Sequence, residues 1–554
     1  MKSAQLWVRE GHLHKAALSI AVTAISSGLL QSAHAIAIDT GNPDVQVRWD
    51  NTIRYNLGYR VDPQNDSILA NPNFDDGDRN FERGVVTNRL DLLSEADIVF
   101  NQRYGARVSA AAWYDQAYEN LDNDNVATSN HESDGQPALG LSRYAKRYYH
   151  GPSGEILDAF VFGQMEVGSV QLNGKLGQHS LAWGEALLTG GAVHGVSYSQ
   201  NPLDLGKAQA SPGIEAKELY RPQPQVSTQV QLTPELSLAA QYFFDWERMQ
   251  MPEAGTYFGA QDIVNEGAET LVARPGVPGV RLQRGSDIIK EKHGDYGLAA
   301  RWRPQWLDGT LGFYYRNFTD KLPQVYQQAS SRTFGLAYGD DIDLYGVSLS
   351  TVLGGLSVGV DLNYRTNMPL VSSVAALPAG ALPDDTPGAR GNTVHGLVNA
   401  VGTLASSPLY DSAAYAAELT WNTWTSVTDN KALFKGNDSY NAVDKPDKNA
   451  IAMGLNFTPT WYQVFPGGDL SMPLSYSQGL RGNSAVTLGG NEDTGSYSVG
   501  LGLDYLSQYR FDLKYVDFFG DVDKDVNGVV SVANGTSAIL RDRGLITFTF
   551  KTTI

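Results

Sequence analysis

Near the C-terminus the run DVDKDVNG (residues 521–528) places Asp523, Asp525, Asn527 and Gly528 at the first, third, fifth and sixth positions of a calcium loop. Alternating oxygen ligands followed by a glycine at a sharp turn are what a hard divalent cation requires. Asn534 stands at position twelve, where a bidentate glutamate is expected. The pattern therefore fits two readings: a weak extracellular calcium site bridging Asp523, Asp525 and Asn527 to lipopolysaccharide phosphates, or a solvated acidic hairpin tip between the last two strands. A second chemistry-bearing run is WGEALLTGGAVHG (residues 183–195), with Glu185 and His194, and with Ser180 and Ser197 on either side. These are hydrolase residue types. Neither a G-x-S-x-G elbow nor an H-E-x-x-H helix is present, and hydroxyls and imidazoles also line any polar lumen. The expectation is a protein without catalysis or a resident cofactor, calcium apart, in which Trp183, Gly184 and Glu185 make a strand-end turn.

The third set is the most extensive, because charges recur at alternate positions. In VQVRWDNTIRYNLGYRV (residues 45–61) Arg48, Arg54 and Arg60 share one face. The next alternating run, residues 90–100, gives Asp91, Glu95 and Asp97, and the one after it gives Arg107. Later runs add Asp361 and Arg365, then Arg510, Asp512 and Lys514. Neighbouring strands of opposite sign predict cross-strand pairs that hold a wall together. The alternative is a transverse field across a channel, selecting charged solutes.

These charges need elements to position them, and the period of two identifies strands, whose successive side chains point to opposite faces. Across from Arg48, Arg54 and Arg60 stand Val47, Ile53, Leu57 and Tyr59. Polar faces that carry full charges and glycines, opposed by apolar faces that begin or end in tyrosine, are the marks of a transmembrane β-barrel with its oily side toward lipid. A β-solenoid would need a short fixed repeat, and none is found. The fold expected is all-β: one antiparallel barrel over residues 36–554, of about 16 strands (14–18), with long loops and one short helical loop segment. The closing run LITFTFKTTI resembles the terminal strand by which the barrel assembly machinery recognises its clients, although it ends in Ile554 where Phe is usual.

Composition sets the compartment. The 554 residues include 57 glycines, 28 tyrosines and no cysteine, so disulfides and thiolate chemistry are excluded. Lys2, Arg9 and Lys15, the apolar run 17–30 and the Ala33-His34-Ala35 site read as a signal peptide over residues 1–35, cleaved before Ile36. A formal net charge of -18 rules out nucleic acid as a partner held by phosphate neutralisation. The outer membrane of a Gram-negative bacterium, with lipid and lipopolysaccharide around the barrel, is the expected location. Three long segments interrupt the alternation, at 118–155, 252–292 and 367–411, and segments of that length are usually functional. In the third, Leu397, Val398, Val401 and Leu404 at helical spacing predict a short amphipathic helix that either plugs the lumen or rests at its mouth.

VQVRWDNTIRYNLGYRV, GDRNFERGVVTNRLDLLSEADIVF, KLGQHSLAWGEALL, NPLDLGKA and LSLAAQYFFDWERMQMPEAGTYF resemble a proteobacterial family known as domain of unknown function 1302, over essentially the whole mature chain. The resemblance implies an outer-membrane barrel. It also implies association with a periplasmic lipid-binding-like protein and a resistance-nodulation-division exporter, and a role in moving hydrophobic compounds. Glycine-rich polar walls and inward loops fit a passage for a small-molecule solute better than an anchor. The expected function is an outer-membrane channel or transporter for small hydrophobic molecules. A non-conducting docking barrel is the second reading, and a barrel-type hydrolase built on Ser, His and Asn is the third.

Overall fold

The computed structural model describes residues 36–273, 280–289, 292–378 and 386–554. The expected signal segment, 1–35, lies outside them. The wall begins with β1 Val45–Arg60, β2 Val85–Phe100, β3 Tyr104–Asp115, β4 Ser153–Val167, β5 Val170–His179 and β6 Gln223–Gln231. It continues with β7 Leu236–Phe243, β8 Tyr296–Trp302, β9 Gly309–Phe318, β10 Ile342–Leu353, β11 Leu356–Pro369 and β12 Arg390–Leu404. It ends with β13 Ser412–Asp429, β14 Asn449–Phe465, β15 (Gly468–Ser471 and Leu474–Arg481), β16 Gly495–Tyr505, β17 Tyr509–Phe519 and β18 Leu545–Thr553.

Each strand pairs antiparallel with its sequence neighbours, and β18 returns to β1, with Thr553 opposite Thr52 and Leu545 opposite Arg60. Closure leaves no edge, so the backbone groups of the wall find partners within it. The wall has 18 strands rather than about 16, the upper end of the expected range. Two features hide strands from an alternation count. Met472 and Pro473 interrupt β15, since proline has no N–H for a ladder. The other is β12, where the predicted helix does not form. Leu397 and Val398 point to opposite sides of the wall, buried and 43% exposed respectively, and Arg390–Leu404 pairs with both β11 and β13. With Gly396 outward and Leu397 inward, the run has a weak apolar alternation, and its β-branched Thr393, Val394, Val398 and Val401 favour the pleated surface. The expected lumen helix is wall.

The faces are distributed as a lipid-facing barrel requires. In β1, Thr52, Arg54, Asn56 and Arg60 are buried, while Ile53, Tyr55, Leu57 and Tyr59 open outward. Outward leucines and aromatics continue around the wall at Leu90, Leu298, Phe313, Leu501, Leu513 and Phe548, all exposed. A contiguous apolar belt of this kind is unstable against water and stable against hydrocarbon. Short turns lie at the end where β1 begins and β18 finishes; the two-residue turn between β10 and β11 is Gly354-Gly355, both at positive φ, which suits the twist of a tight hairpin. The long connections lie at the other end. There Thr270–Val272, Arg281–Arg284, Thr333–Ala337, Gln324–Gln328 and Ala375–Leu377 build a small mixed sheet over the barrel mouth. Two of the expected long segments thus give strands to a cap, 270–272 and 281–284 from one and 375–377 from another, and the third reaches it through His131 on Glu269 and Asn130 on Thr270.

The two faces of β17 give a test. Leu513→Arg puts a charge on the apolar belt and should cost about 2 to 4 kcal/mol near the midplane. The neighbouring Lys514→Gln, on the inward face, should leave stability within about 0.5 kcal/mol. Denaturant unfolding in lipid vesicles, read by heat-modifiable migration, compares them; equal losses would reverse the assignment of faces.

Candidate functional site

Between β5 and β6 the chain leaves the wall and crosses the barrel interior as residues 180–222. This segment was not among the three long loops expected, and it holds three short helices: α1 Thr189–His194, α2 Leu205–Ala210 and α3 Ala216–Leu219. α2 is capped locally, since the Asp204 carboxylate accepts from the Lys207 N–H at 2.8 Å. α3 carries a reciprocal capping box from Glu215 and Glu218. α1 has no such residue of its own. Its cap comes from the wall: Glu418 of β13 accepts from the N–H groups of Leu187 (2.7 Å), Leu188 (3.1 Å) and Gly191 (2.7 Å). A carboxylate at that end also opposes the positive pole of the helix.

On this side the wall grips backbone. Asp361 of β11 accepts from Glu185 N–H (2.9 Å) and Val196 N–H (3.0 Å). Arg365, two pleats further along the same face, donates to the carbonyls of Val193 (2.9 Å) and Gly195 (3.1 Å), and Arg316 of β9 donates to those of Val196 (3.0 Å) and Tyr198 (2.6 Å). On the opposite side the wall grips side chains. Arg54 makes a two-pronged pair with Glu218 at 2.9 and 3.1 Å and donates to Ser211 at 2.9 Å. Lys551 of β18 pairs with Glu215 at 2.6 Å, and Lys217 reaches both Glu95 and Glu215. The segment is thus fastened to β1, β2 and β18 at one end and to β9, β11 and β13 at the other. Inner-wall glycines seat its side chains. A Cβ at Gly297 would stand 2.7 Å from Trp183, one at Gly346 2.8 Å from Val196, and one at Gly454 2.7 Å from Leu188. Trp183, Val196 and Tyr198 pack there against Tyr314, Phe318, Ile342 and Leu344 of β9 and β10, an apolar band inside a polar lumen.

The charges singled out from sequence all stand on inward faces, in distinct roles. Arg54, Asp91, Glu95, Asp361 and Arg365 hold the crossing segment; Asp91 acts through Ser211, whose hydroxyl donates to it at 2.9 Å. Arg48 with Asp97 (4.0 Å), and Arg107 with Glu95, Asp97 and Asp158, are cross-strand pairs near the short-turn end. Arg510 pairs with Asp504 and Asp512 at 2.9 and 2.7 Å, and Lys514 lies half-buried on the same face. Arg60 belongs to the cap, where it meets Asp78 at 2.7 Å and Asp542 at 3.3 Å with no exposure. Trp183, Gly184 and Glu185 are no strand-end turn, since β5 stops at His179 and they begin the crossing. Both ring nitrogens of His194 are engaged, by His395 and by the Gly489 carbonyl. Glu418, Arg316 and Lys551 were missed. Lys551 lies in the closing run read as a strand, the runs 309–318 and 412–429 that carry Arg316 and Glu418 were not singled out, and nothing local marks the distant groups these side chains serve.

The predicted calcium residues do not converge. Asp523 accepts from the Val443 N–H at 2.7 Å, while Asp525 closes its own turn by accepting from Asn527 and Val529 N–H, both at 2.9 Å. Residues 522–524 and 530–533 pair as a hairpin, whose turn Asp525 closes by its backbone bonds. Among the described residues no group of three or more His, Cys, Asp or Glu side chains gathers as a metal site.

In the cap, the Asp75, Asp76 and Asp262 carboxyls are pushed up by burial, Asp76 further by the carboxylates of Asp262 and Asp75. Burial pushes Glu253 up to about 7, against the opposing pull of bonds from Gly267 N–H (2.6 Å) and Gln250 (2.7 Å).

A model of the family described as protein of unknown function (DUF1302) matches residues 16–554. No curated protein matches the sequence. Among solved structures, Pseudomonas aeruginosa OccK9 (OpdG) is similar at 9% identity and a TM-score of 0.39, over 92% of this chain and 98% of that one. Pseudomonas aeruginosa OpdK with vanillate is 11% identical, with a TM-score of 0.39 over the same shares. Acinetobacter baumannii OccAB3 is 9% identical, with a TM-score of 0.40 over 92% of this chain and 99% of that one.

Glu418→Ala removes the acceptor of three N–H groups. Each unsatisfied donor is worth about 1 to 3 kcal/mol, so hydrogen exchange at 187–191 should accelerate by at least about tenfold while the wall strands stay protected. Uniform exchange with the parent would show that α1 does not depend on the wall. The cap gives a pH test. In the folded cap Glu253 holds its proton to about 7, against 4.5 in the unfolded chain, so between those values the folded form binds more protons and cap stability falls as pH rises. Exchange rates over 244–268, corrected for intrinsic pH dependence, should rise across that window, and Glu253→Gln should reduce the rise, leaving the share carried by Asp262 and its neighbours; a cap that tightens with rising pH would reverse the sign.

Proposed function

The chain belongs to the DUF1302 family of proteins of unknown function, and on that footing we propose that it is an outer-membrane channel for small, hydrophobic molecules. The observation that carries the reading is the crossing segment: residues 180–222 divide a polar lumen and place Trp183, Val196 and Tyr198 against an apolar strip of wall. A polar barrel interior admits water-soluble solutes of any kind. The half-buried apolar side chains at the edge of that cluster, Leu181, Ala192 and Leu205, would give a hydrophobic molecule a favourable station along the way. The lipid-compatible belt and closed sheet support the outer membrane as its site. The periplasmic lipid-binding-like protein and the resistance-nodulation-division exporter implied by the family resemblance would stand on the short-turn side, as supplier or receiver of the solute.

The fastening of the segment at both walls favours a second reading, a closed barrel that docks a periplasmic partner and carries nothing. Purified protein in planar bilayers separates the two. Discrete conductance steps, with uptake of a small radiolabelled alicyclic or aromatic solute into proteoliposomes, are expected of the channel. A folded barrel that shows neither would leave the docking reading standing.

A further inference from the structure

α1 is joined to the wall by one contact of a different kind. His194, its last residue, and His395 of β12 stack with ring centroids 5.1 Å apart and an interplanar angle of 26°, and both are fully buried. Their Nδ1 atoms are 2.8 Å apart; His194 Nε2 lies 2.8 Å from the Gly489 carbonyl, and His395 Nε2 lies 2.8 Å from the Thr393 hydroxyl. The carbonyl accepts only, so His194 carries its proton on Nε2 and leaves Nδ1 as an acceptor. His395 must then donate from Nδ1 and accept at Nε2 from the Thr393 hydroxyl. Every polar atom is satisfied with both rings neutral, in one directed chain running from β12 through α1 to the loop between β15 and β16.

We infer that the His194–His395 pair is a proton-operated latch on the crossing segment, closed when both rings are neutral and released by acid. This rests on the reading that residues 180–222 govern passage. A first proton goes to His395 Nε2, which turns the Thr393 hydroxyl from donor to acceptor and keeps a single N–H between the two Nδ1 atoms. A second sets two N–H groups face to face at hydrogen-bonding distance, with like charges in contact. The surroundings oppose both steps. Arg365 of β11 brings its guanidinium to the carbonyls on either side of His194. The carboxylates packed around α1, Glu418 of β13 and Asp361 of β11, are committed to the N–H groups of residues 185–196. The loop between β15 and β16 presents the Gly489 carbonyl, which accepts from the ring. Opening the latch removes the hold of His395 and of that loop on the end of α1, while the bonds from Glu418, Asp361, Arg365 and Arg316 and the Arg54–Glu218 end stay in place, so the segment loosens around His194 and does not leave.

The chain has no cysteine, so a nitroxide at Ser197→Cys reports on the segment alone. In lipid vesicles at about pH 7.5 and about pH 3.5, the second taken well below the ordinary imidazole range because the surroundings oppose charging, the label should mobilise on acidification, and planar-bilayer conductance should rise. His395→Gln, checked for folding by heat-modifiable migration, keeps a hydrogen-bonding side chain that does not titrate and should lose both responses; His395→Asn is the second variant should the first fail to fold. His194→Ala should be mobile and conducting at both pH values. A label whose mobility changes identically in the parent and in His395→Gln, or does not change at all, overturns the latch whatever the conductance. A latch that moves the label in a barrel without conductance stands, and it is then the channel reading that fails.

Discussion

Chain that enters the lumen of a barrel brings backbone N–H and C=O groups that the wall cannot pair, because the wall strands are already paired with each other. Residues 180–222 fold into three helices too short to satisfy themselves, and a buried, unpaired backbone group costs free energy comparable to a lost hydrogen bond. The inner-wall charges supply the missing partners. Glu418 serves three N–H groups, Asp361 two, and Arg316 and Arg365 two carbonyls each. The wall charges and the segment are therefore one construction, and each would be untenable without the other. A wall guanidinium without its carbonyls would be a buried charge lacking compensation.

The two ends of the segment are held by different chemistry. At β9, β11 and β13 the wall side chains bind main chain, a grip indifferent to which residues the segment carries. At β1, β2 and β18 the contacts are carboxylate with guanidinium or ammonium, so Glu215, Lys217 and Glu218 are specified by type. Buried charge pairs add little net stability but are costly to break from one side. What they fix is register, the position at which the segment returns to β6. The backbone grip leaves the side chains of 183–198 available to shape the apolar band.

Alternation made the wall legible from sequence. The outward placing of Ile53, Leu57, Leu501 and Leu513 follows from a period of two together with charges that only a hydrated or paired interior accepts. Arg54 and Asp91 could be anticipated as register partners because they lie on neighbouring strands, and they stand 3.9 Å apart. The crossing segment was not legible as such. WGEALL and NPLDLGKA have neither strand nor sustained helix period, and their partners are far away in sequence, with Glu185 meeting Asp361 and Leu187 meeting Glu418. The apparent helix at 397–404 misled for a related reason. In β12 leucine stands inward at 397 and glycine outward at 396, which breaks the pattern that identifies a wall strand.

The glycines follow from the same arrangement. A glycine within a strand weakens it, since it loses more conformational entropy on folding and contributes no side chain to pack. On the polar face of a barrel it reads most simply as room for solute. Gly297, Gly346, Gly359 and Gly454 are occupied instead, each by a different side chain of the crossing segment: Trp183, Val196, Glu185 and Leu188. The space they leave is filled by the chain itself to ordinary packing distance, and the dispersion contacts so gained offset the entropy. A glycine-rich inner wall thus marks where a barrel receives its own loop as much as where it admits a solute. Tyr198 closes in the same way on Phe318, Ile342 and Leu344, so small residues here seat the loop and do not hold the lumen open.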